Sequence, residues 1–258
     1  MSRLPVLFTA HGSPMNALGG TPFAAKLETW AAAWPRPAAI LCVSAHREET
    51  PLSLTAAGKP ATVHDFYGFP RTLYELRYPA HGSPAVAGRA AALLAASGLP
   101  ARLDADAGLD HGTWAPLLLA LPAADVPVVQ LSLPARSRLD VCVAMGRALA
   151  PLRDEGVLLL GSGNLVHNLR EADLSEVELP VVPWAAEFDG WVAERISAGD
   201  VDALASLAGA PNARRAHPTL EHYAPVVACA AAAGADSASF PVTGFEHASL
   251  SLRCVAWS

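Results

Sequence analysis

What most constrains this chain is a pattern it repeats three times. An apolar, β-prone run ends and delivers a histidine a few residues later in a turn rich in Gly, Ser or Asn. The three copies are LFTAHGSPMN around His11, ILCVSAHREE around His46 and LLLGSGNLVHN around His167. Short apolar runs bounded by turn-forming residues suit strands buried on both faces, as in a parallel sheet. In an open parallel sheet, ligands bind beyond the carboxyl ends of the strands. Three histidines placed there can converge along one edge. Imidazole is the commonest metal-ligating side chain, so the pattern points to a mononuclear metal site.

The segments between these runs alternate in kind. Helical patterns fall at 23–34, 84–97, 113–121, 138–153, 184–197, 201–207 and 220–233, and further strands at 52–56, 73–78, 126–133, 239–243 and 249–257. Strands alternating with helices imply an α/β fold, a largely parallel central sheet flanked by helices. With no internal repeat, low-complexity linker or break in composition, residues 1–258 read as one domain.

Composition narrows the function. Hydrophobic residues make up 52% of the chain, enough for a substantial core, and 24 acidic against 18 basic residues give a net charge of −6. No run of Lys or Arg supplies the basic stripe of a nucleic-acid-binding protein or a patch for anionic membrane. The apolar stretch 115–135 is interrupted by Pro122, Asp125, Pro127 and Pro134, unlike a membrane span of about 20 apolar residues. Cys42, Cys142, Cys229 and Cys254 form no CxxC pair and read as reduced thiols, which suits the cytoplasm. The N-terminus lacks the basic and long apolar regions of a signal peptide.

Nine histidines are present, mostly beside turn residues. A lone loop histidine is ordinarily a hydrogen-bonded or solvated side chain; repetition at three strand ends is what singles out His11, His46 and His167. In HPTLEHY, Pro218 suits the first position of a helix, which places His217 at the cap and His222 in an early turn. Five residues at 3.6 per turn set the two apart around the axis, so one of them at most is a ligand. Glu221 is a rival, since two histidines and a carboxylate form a common iron triad; the plainer reading is an acid favoured near a helix N-terminus. His111 follows Asp110, a carboxylate that could orient it. The loop HDFYGFP at 64–70 could wall a flat apolar ligand, which makes His64 and Tyr67 candidate substrate contacts, with His217 a third. Other chemistries lack their signatures: GSGN at 161–164 has neither GxGxxG spacing nor a P-loop lysine, and neither GxSxG nor HExxH occurs.

Seven blocks in order carry a broader likeness: HGSPMN at 11–16, SAHREE at 44–49, HDFYGFP at 64–70, GLDHGTW at 108–114, GSGNLVHNLR at 161–170, HPTLEHYAP at 217–225 and FEHASLSL at 245–252. Together they closely resemble the DOPA-dioxygenase-type branch of the class III (LigB-like) extradiol ring-cleaving dioxygenases. The resemblance implies one non-haem Fe(II), with zinc able to occupy the same site. Its ligands would be His11, His46 and His222, where the broader superfamily commonly uses two histidines and a glutamate. It further implies His167 as acid/base and as a possible fourth ligand in a zinc-bound resting form, and His111 as a hydrogen-bond donor to substrate or oxygen. The substrates expected are a small catechol (DOPA-like, caffeate-like or simpler) and O2. The alternatives are a non-catalytic metal- or ligand-binding protein on the same fold, and a zinc-dependent hydrolase.

Overall fold

Alternate residues along the central strands face two separate apolar layers, and this two-sided burial organises the molecule. The structure is a computed structural model and describes residues 3–258. In chain order its elements are β1 (Val6–Ala10), α1 (Pro22–Ala31), β2 (Ala39–Glu49), β3 (Leu52–Thr55), α2 (Arg71–Glu75), α3 (Pro84–Ala96), β4 (Ala101–Asp104), α4 (His111–Ala120) and β5 (Val128–Pro134). There follow α5 (Leu139–Leu149), β6 (Val157–Gly163), α6 (Pro183–Ser197), α7 (Val201–Ser206), α8 (Ala213–Ala216), α9 (Ala224–Ala233), β7 (Ala238–Ser239), β8 (Phe245–Glu246), β9 (Leu250–Ser251) and β10 (Val255–Trp257). Eight strands form one sheet in the order β4-β3-β5-β2-β6-β1-β10-β7, and β8 pairs with β9 in a separate hairpin.

The four central strands, β5-β2-β6-β1, are parallel throughout; β3 meets β5, and β10 meets β1, antiparallel. Val6, Phe8, Leu41, Val43, Val129, Leu131, Val157 and Leu159 face a core shared with α3, α5, α6 and α9. Leu7, Ile40, Cys42, Val128, Leu158 and Leu160 face the opposite layer, where Trp114 and Leu117 of α4 pack with Tyr78. Helix α9 (APVVACAAAA) is buried along its whole length, as expected of a helix that is apolar all round. Among the described residues no helix is long and apolar enough to cross a membrane.

Several local expectations are corrected. Segment 73–78 was expected as a strand, but Arg71–Glu75 forms the short helix α2 after Pro70, with Leu73 as its buried anchor. Strand β4 was not anticipated, because Ala101–Asp104 is a half-exposed edge without an apolar run. The C-terminal strand expected over 249–257 is split into β9 and β10. Pro218 does not open a helix. His217 instead ends α8, and α9 begins only at Ala224, with Pro225 in its first turn.

Helices α5 and α9 approach closely because Gly146 has no side chain. A Cβ there would lie 2.1 Å from the Ala228 carbonyl oxygen, whereas one on Gly88 of α3 would meet nothing within 4 Å. Gly146→Ala should therefore destabilise the protein by about 1–3 kcal/mol through overpacking. Gly88→Ala should be neutral or stabilising by up to about 1 kcal/mol. Urea unfolding of both variants checks the contrast, and equal midpoints would contradict this packing.

Candidate metal centre and active site

The parallel register brings two of the strand-end histidines to one height. Ser162 of β6 pairs with Thr9 of β1 and with Ser44 of β2. His11 and His46 each follow two residues beyond that row. His46 lies within β2 rather than after it, at a register shift between Val43 and Glu48. The third ring comes from a different part of the chain. Beyond β6, Asn164 N–H donates to the His222 carbonyl at 3.0 Å, and His167 N–H to the Ala216 carbonyl at 3.0 Å. These bonds join residues 164–167 to 216–222 and bring the His167 and His222 rings face to face, with centroids 3.5 Å apart and planes within 9°.

Hydrogen bonds decide which ring nitrogens carry lone pairs. Ser162 Oγ gives its proton to the Gly112 carbonyl at 2.5 Å and lies 3.0 Å from His11 Nδ1. A hydroxyl has one proton to give, so His11 donates to Ser162 and its Nε2 is left bare. Glu221 Oε1 accepts from His222 Nδ1 at 3.0 Å, which leaves His222 Nε2 bare as well. His46 Nε2 comes within 3.2 Å of His11 Nε2. Two imidazole nitrogens, each about 2.1 Å from one ion, lie roughly 3.0–3.4 Å apart, so this is the spacing of two ligands on a single cation. One donor atom from each of His11, His46 and His222 falls within 4.8 Å of the other two. Burial pushes His11 and His222 far below the ordinary histidine range. It also takes His46 down to about 3, aided by nearby His111 and opposed by Asp65. All three are neutral at pH 7, the form that binds metal. An all-imidazole set suits iron and zinc alike, and the residues fit a single divalent ion.

Two further histidines flank this triad. The His111 ring lies 3.9 Å from that of His46 and 5.7 Å from that of His11. Asp65 grips it twice, accepting from the backbone N–H at 2.8 Å and from ring Nδ1 at 2.9 Å. Burial alone would raise the Asp65 carboxyl, but its hydrogen bonds to His111 outweigh that and hold it below its ordinary value. Burial lowers His167 to about 4, with Glu221 pulling up and His111 down. Imidazole lone pairs lie in the ring plane. The parallel faces of His167 and His222 therefore cannot share an ion unless one ring turns, and the fourth-ligand role expected of His167 needs that rotation.

The carboxylate partner of His111 is Asp65, not Asp110. Asp110 turns inward as the N-cap of α4, accepting from Ser44 Oγ at 2.7 Å, from Thr113 N–H at 3.0 Å and from the Gln130 side-chain amide. Glu221 acts on His222 and is not in the group formed with His11 and His46. The three candidate substrate contacts are not drawn into the cluster. His217 is buried, donates from Nε2 to the Leu165 carbonyl at 2.8 Å and packs on Phe188 and Tyr223. His64 bonds the Leu76 carbonyl at 3.1 Å and sits among Phe66, Tyr74 and Trp114. Tyr67 is 92% exposed. From that loop it is Phe66 that reaches the site, meeting the His111 ring edge-on at 5.4 Å. Sequence reasoning passed over Asp65 and Ser162. The available signal for Asp65 was an acid beside His64 in a turn; Ser162, inside a glycine-flanked strand end, offered none.

Comparison with known proteins agrees with this geometry. Residues 6–252 match the family model described as the catalytic LigB subunit of aromatic ring-opening dioxygenase. The 4,5-DOPA dioxygenase extradiol of Escherichia coli K12 is 41% identical, over 98% of this chain and 94% of that protein. The enzyme of the same name from Beta vulgaris is also 41% identical, over 89% and 87%. A crystal structure of an uncharacterized E. coli K12 protein superposes with a TM-score of 0.84 at 36% identity, covering 99% of this chain and all of the other. The chain belongs to the LigB family of aromatic ring-opening dioxygenases and is an enzyme of the extradiol type.

Because Ser162 sets the His11 tautomer, Ser162→Ala should weaken zinc binding by about 10–100-fold, the usual cost of losing a partner behind a metal ligand. Competition with a chromophoric chelator measures this, and affinity within twofold of wild type would contradict the assignment.

Proposed function

We propose that the protein opens the ring of a small catechol with O2, using Fe(II) held by His11, His46 and His222. The observation that carries this reading is the convergence of three imidazole nitrogens at ligand spacing, with two further imidazoles, His111 and His167, flanking them. Iron(II) there supplies a centre at which a catecholate and O2 meet and electrons pass from one to the other, which redox-inert zinc in the same place does not.

The chain's own residues supply the rest. His167 stacks on His222 without joining the triad, leaving its ring nitrogens for protons. It takes the second hydroxyl proton of the catechol and returns a proton as the ring opens, a role matched to imidazole. His111, held by Asp65, hydrogen-bonds substrate or oxygen. Phe66 borders that side with an apolar edge suited to a flat ring. Both oxygen atoms enter the product, a hydroxymuconic semialdehyde formed by cleavage beside the diol. The relatives named for 4,5-DOPA favour a DOPA-like catechol, with caffeate-like and simpler catechols in the same class.

Anaerobic loading with Fe(II), followed by O2 and a catechol panel including DOPA, tests the reading. One O2 should be consumed per yellow product in the iron form and none in the zinc form; no turnover at full iron occupancy would overturn it. His167→Ala should retain iron but lose about 10²–10⁴-fold in turnover, whereas His11→Ala and His46→Ala should lose the metal. Glu221→Ala should keep more metal than His222→Ala, and the reverse order would make Glu221 the third ligand.

A further inference from the structure

We propose that Asp65 is a positioning residue that fixes the ring tautomers of His46 and His111 together, keeping the metal site from closing on itself. The inference rests on the roles given above to His46 as a ligand and His111 as a substrate-side group. Its geometric basis stands on the contacts alone.

A neutral imidazole carries one N–H, and the partner at one nitrogen decides the state of the other. Asp65 Oδ2 lies 2.9 Å from His111 Nδ1 and 3.7 Å from His46 Nδ1. Its second oxygen is held by the His111 backbone N–H at 2.8 Å, at the first residue of α4, so the carboxylate is tied to a fixed element. An ionised carboxylate only accepts hydrogen bonds. That oxygen therefore holds the His111 proton on Nδ1 through a hydrogen bond and, at 3.7 Å, favours a proton on His46 Nδ1 through its charge alone, so that both Nε2 atoms are left bare.

The alternative for His46 shows what this prevents. His11 Nε2 is already bare because Ser162 takes the Nδ1 proton, and His46 Nε2 lies 3.2 Å from it. With its proton on Nε2, His46 would donate straight to His11. The two ligands would then satisfy each other, and a metal would have to break that bond to enter. Asp65 disfavours this closed pair by offering the proton a charged acceptor at Nδ1.

The same contact orders the work of His111. With Nδ1–H given to Asp65, His111 turns its Nε2 away from the carboxylate, free to meet substrate or oxygen. The carboxylate arrives on the loop whose Phe66 borders the His111 ring, so the wall of the site and its tautomer control are adjacent residues.

Metal-stripped protein labelled with ¹⁵N-histidine tests this without turnover, since long-range ¹H–¹⁵N spectra identify each tautomer and no metal on Nε2 then imposes the His46 one. In wild type, His46 and His111 should both be protonated at Nδ1. In Asp65→Ala, both rings should move to Nε2–H or a mixture, and zinc affinity measured on the same protein should fall about 10–100-fold. Asp65→Asn, which keeps an acceptor oxygen of similar reach, should recover part of both. Unchanged tautomers in both variants would overturn the proposal, whatever happens to affinity. An iron form that fails to open catechols would instead refute the catalytic reading and leave the tautomer result standing.

Discussion

The site depends first on the register of three parallel strands. Ser162 is level with Thr9 on one side and Ser44 on the other, so His11 and His46 each stand two residues beyond the same row. Side chains alternate faces along a strand, and a slip of one residue would turn the whole set over. Burial on both faces forbids that slip. Leu7 would exchange layers with Val6 and Phe8, and Ile40 and Cys42 with Leu41 and Val43. The apolar alternation that stabilises the fold thus also sets the spacing of two of the proposed ligands. Ser162, at the centre of the row, then selects the His11 nitrogen left bare beside His46.

The third of the proposed ligands obeys a different constraint. His222 sits in irregular chain ahead of α9, and its carbonyl is fixed by Asn164 N–H just past β6. A Cβ on Gly163 would lie 2.2 Å from that carbonyl, so only glycine lets the two backbones come this close. Helix α9, buried throughout, anchors the segment from its C-terminal side. The His167 ring stacks on His222 as a result of the same closure, and the group proposed to move protons is placed by the segment that supplies the third ligand.

The legible and illegible parts of the sequence divide along these lines. The central strands and the larger helices follow from apolar runs and their punctuation, because both depend on local sequence. The convergence of His11 and His46 follows from strand-end placement in a parallel sheet. What could not be read was tertiary. The acid beside His111 in sequence, Asp110, caps a helix, while Asp65, 46 residues upstream, holds the ring. Pro218 looked like a helix start, but the helix waits for Ala224, because the His222 carbonyl is turned to Asn164 N–H instead of along a helix axis. Ser162 was invisible because a serine in a strand acquires a role only from what lies across the sheet.

Charge supplies the last constraint on what the site can accept. Three neutral imidazoles, the ligand set proposed above, would leave a divalent ion its full charge. Carboxylates stand on the Nδ1 side of two of the rings, Glu221 accepting from His222 at 3.0 Å and Asp65 lying 3.7 Å from His46. In a buried basin a remaining positive charge is costly unless it is paired. The missing negative charge must then come from whatever occupies the open coordination positions. A catecholate brings it on two adjacent oxygens, whereas a neutral arene or ether does not. With the ligand set proposed above, an ionised diol would be preferred because no carboxylate among the described residues joins the three imidazoles, and removal of the substrate's protons would be part of binding. His167, stacked on His222 at one flank of the triad, is the group proposed above to receive one of those protons.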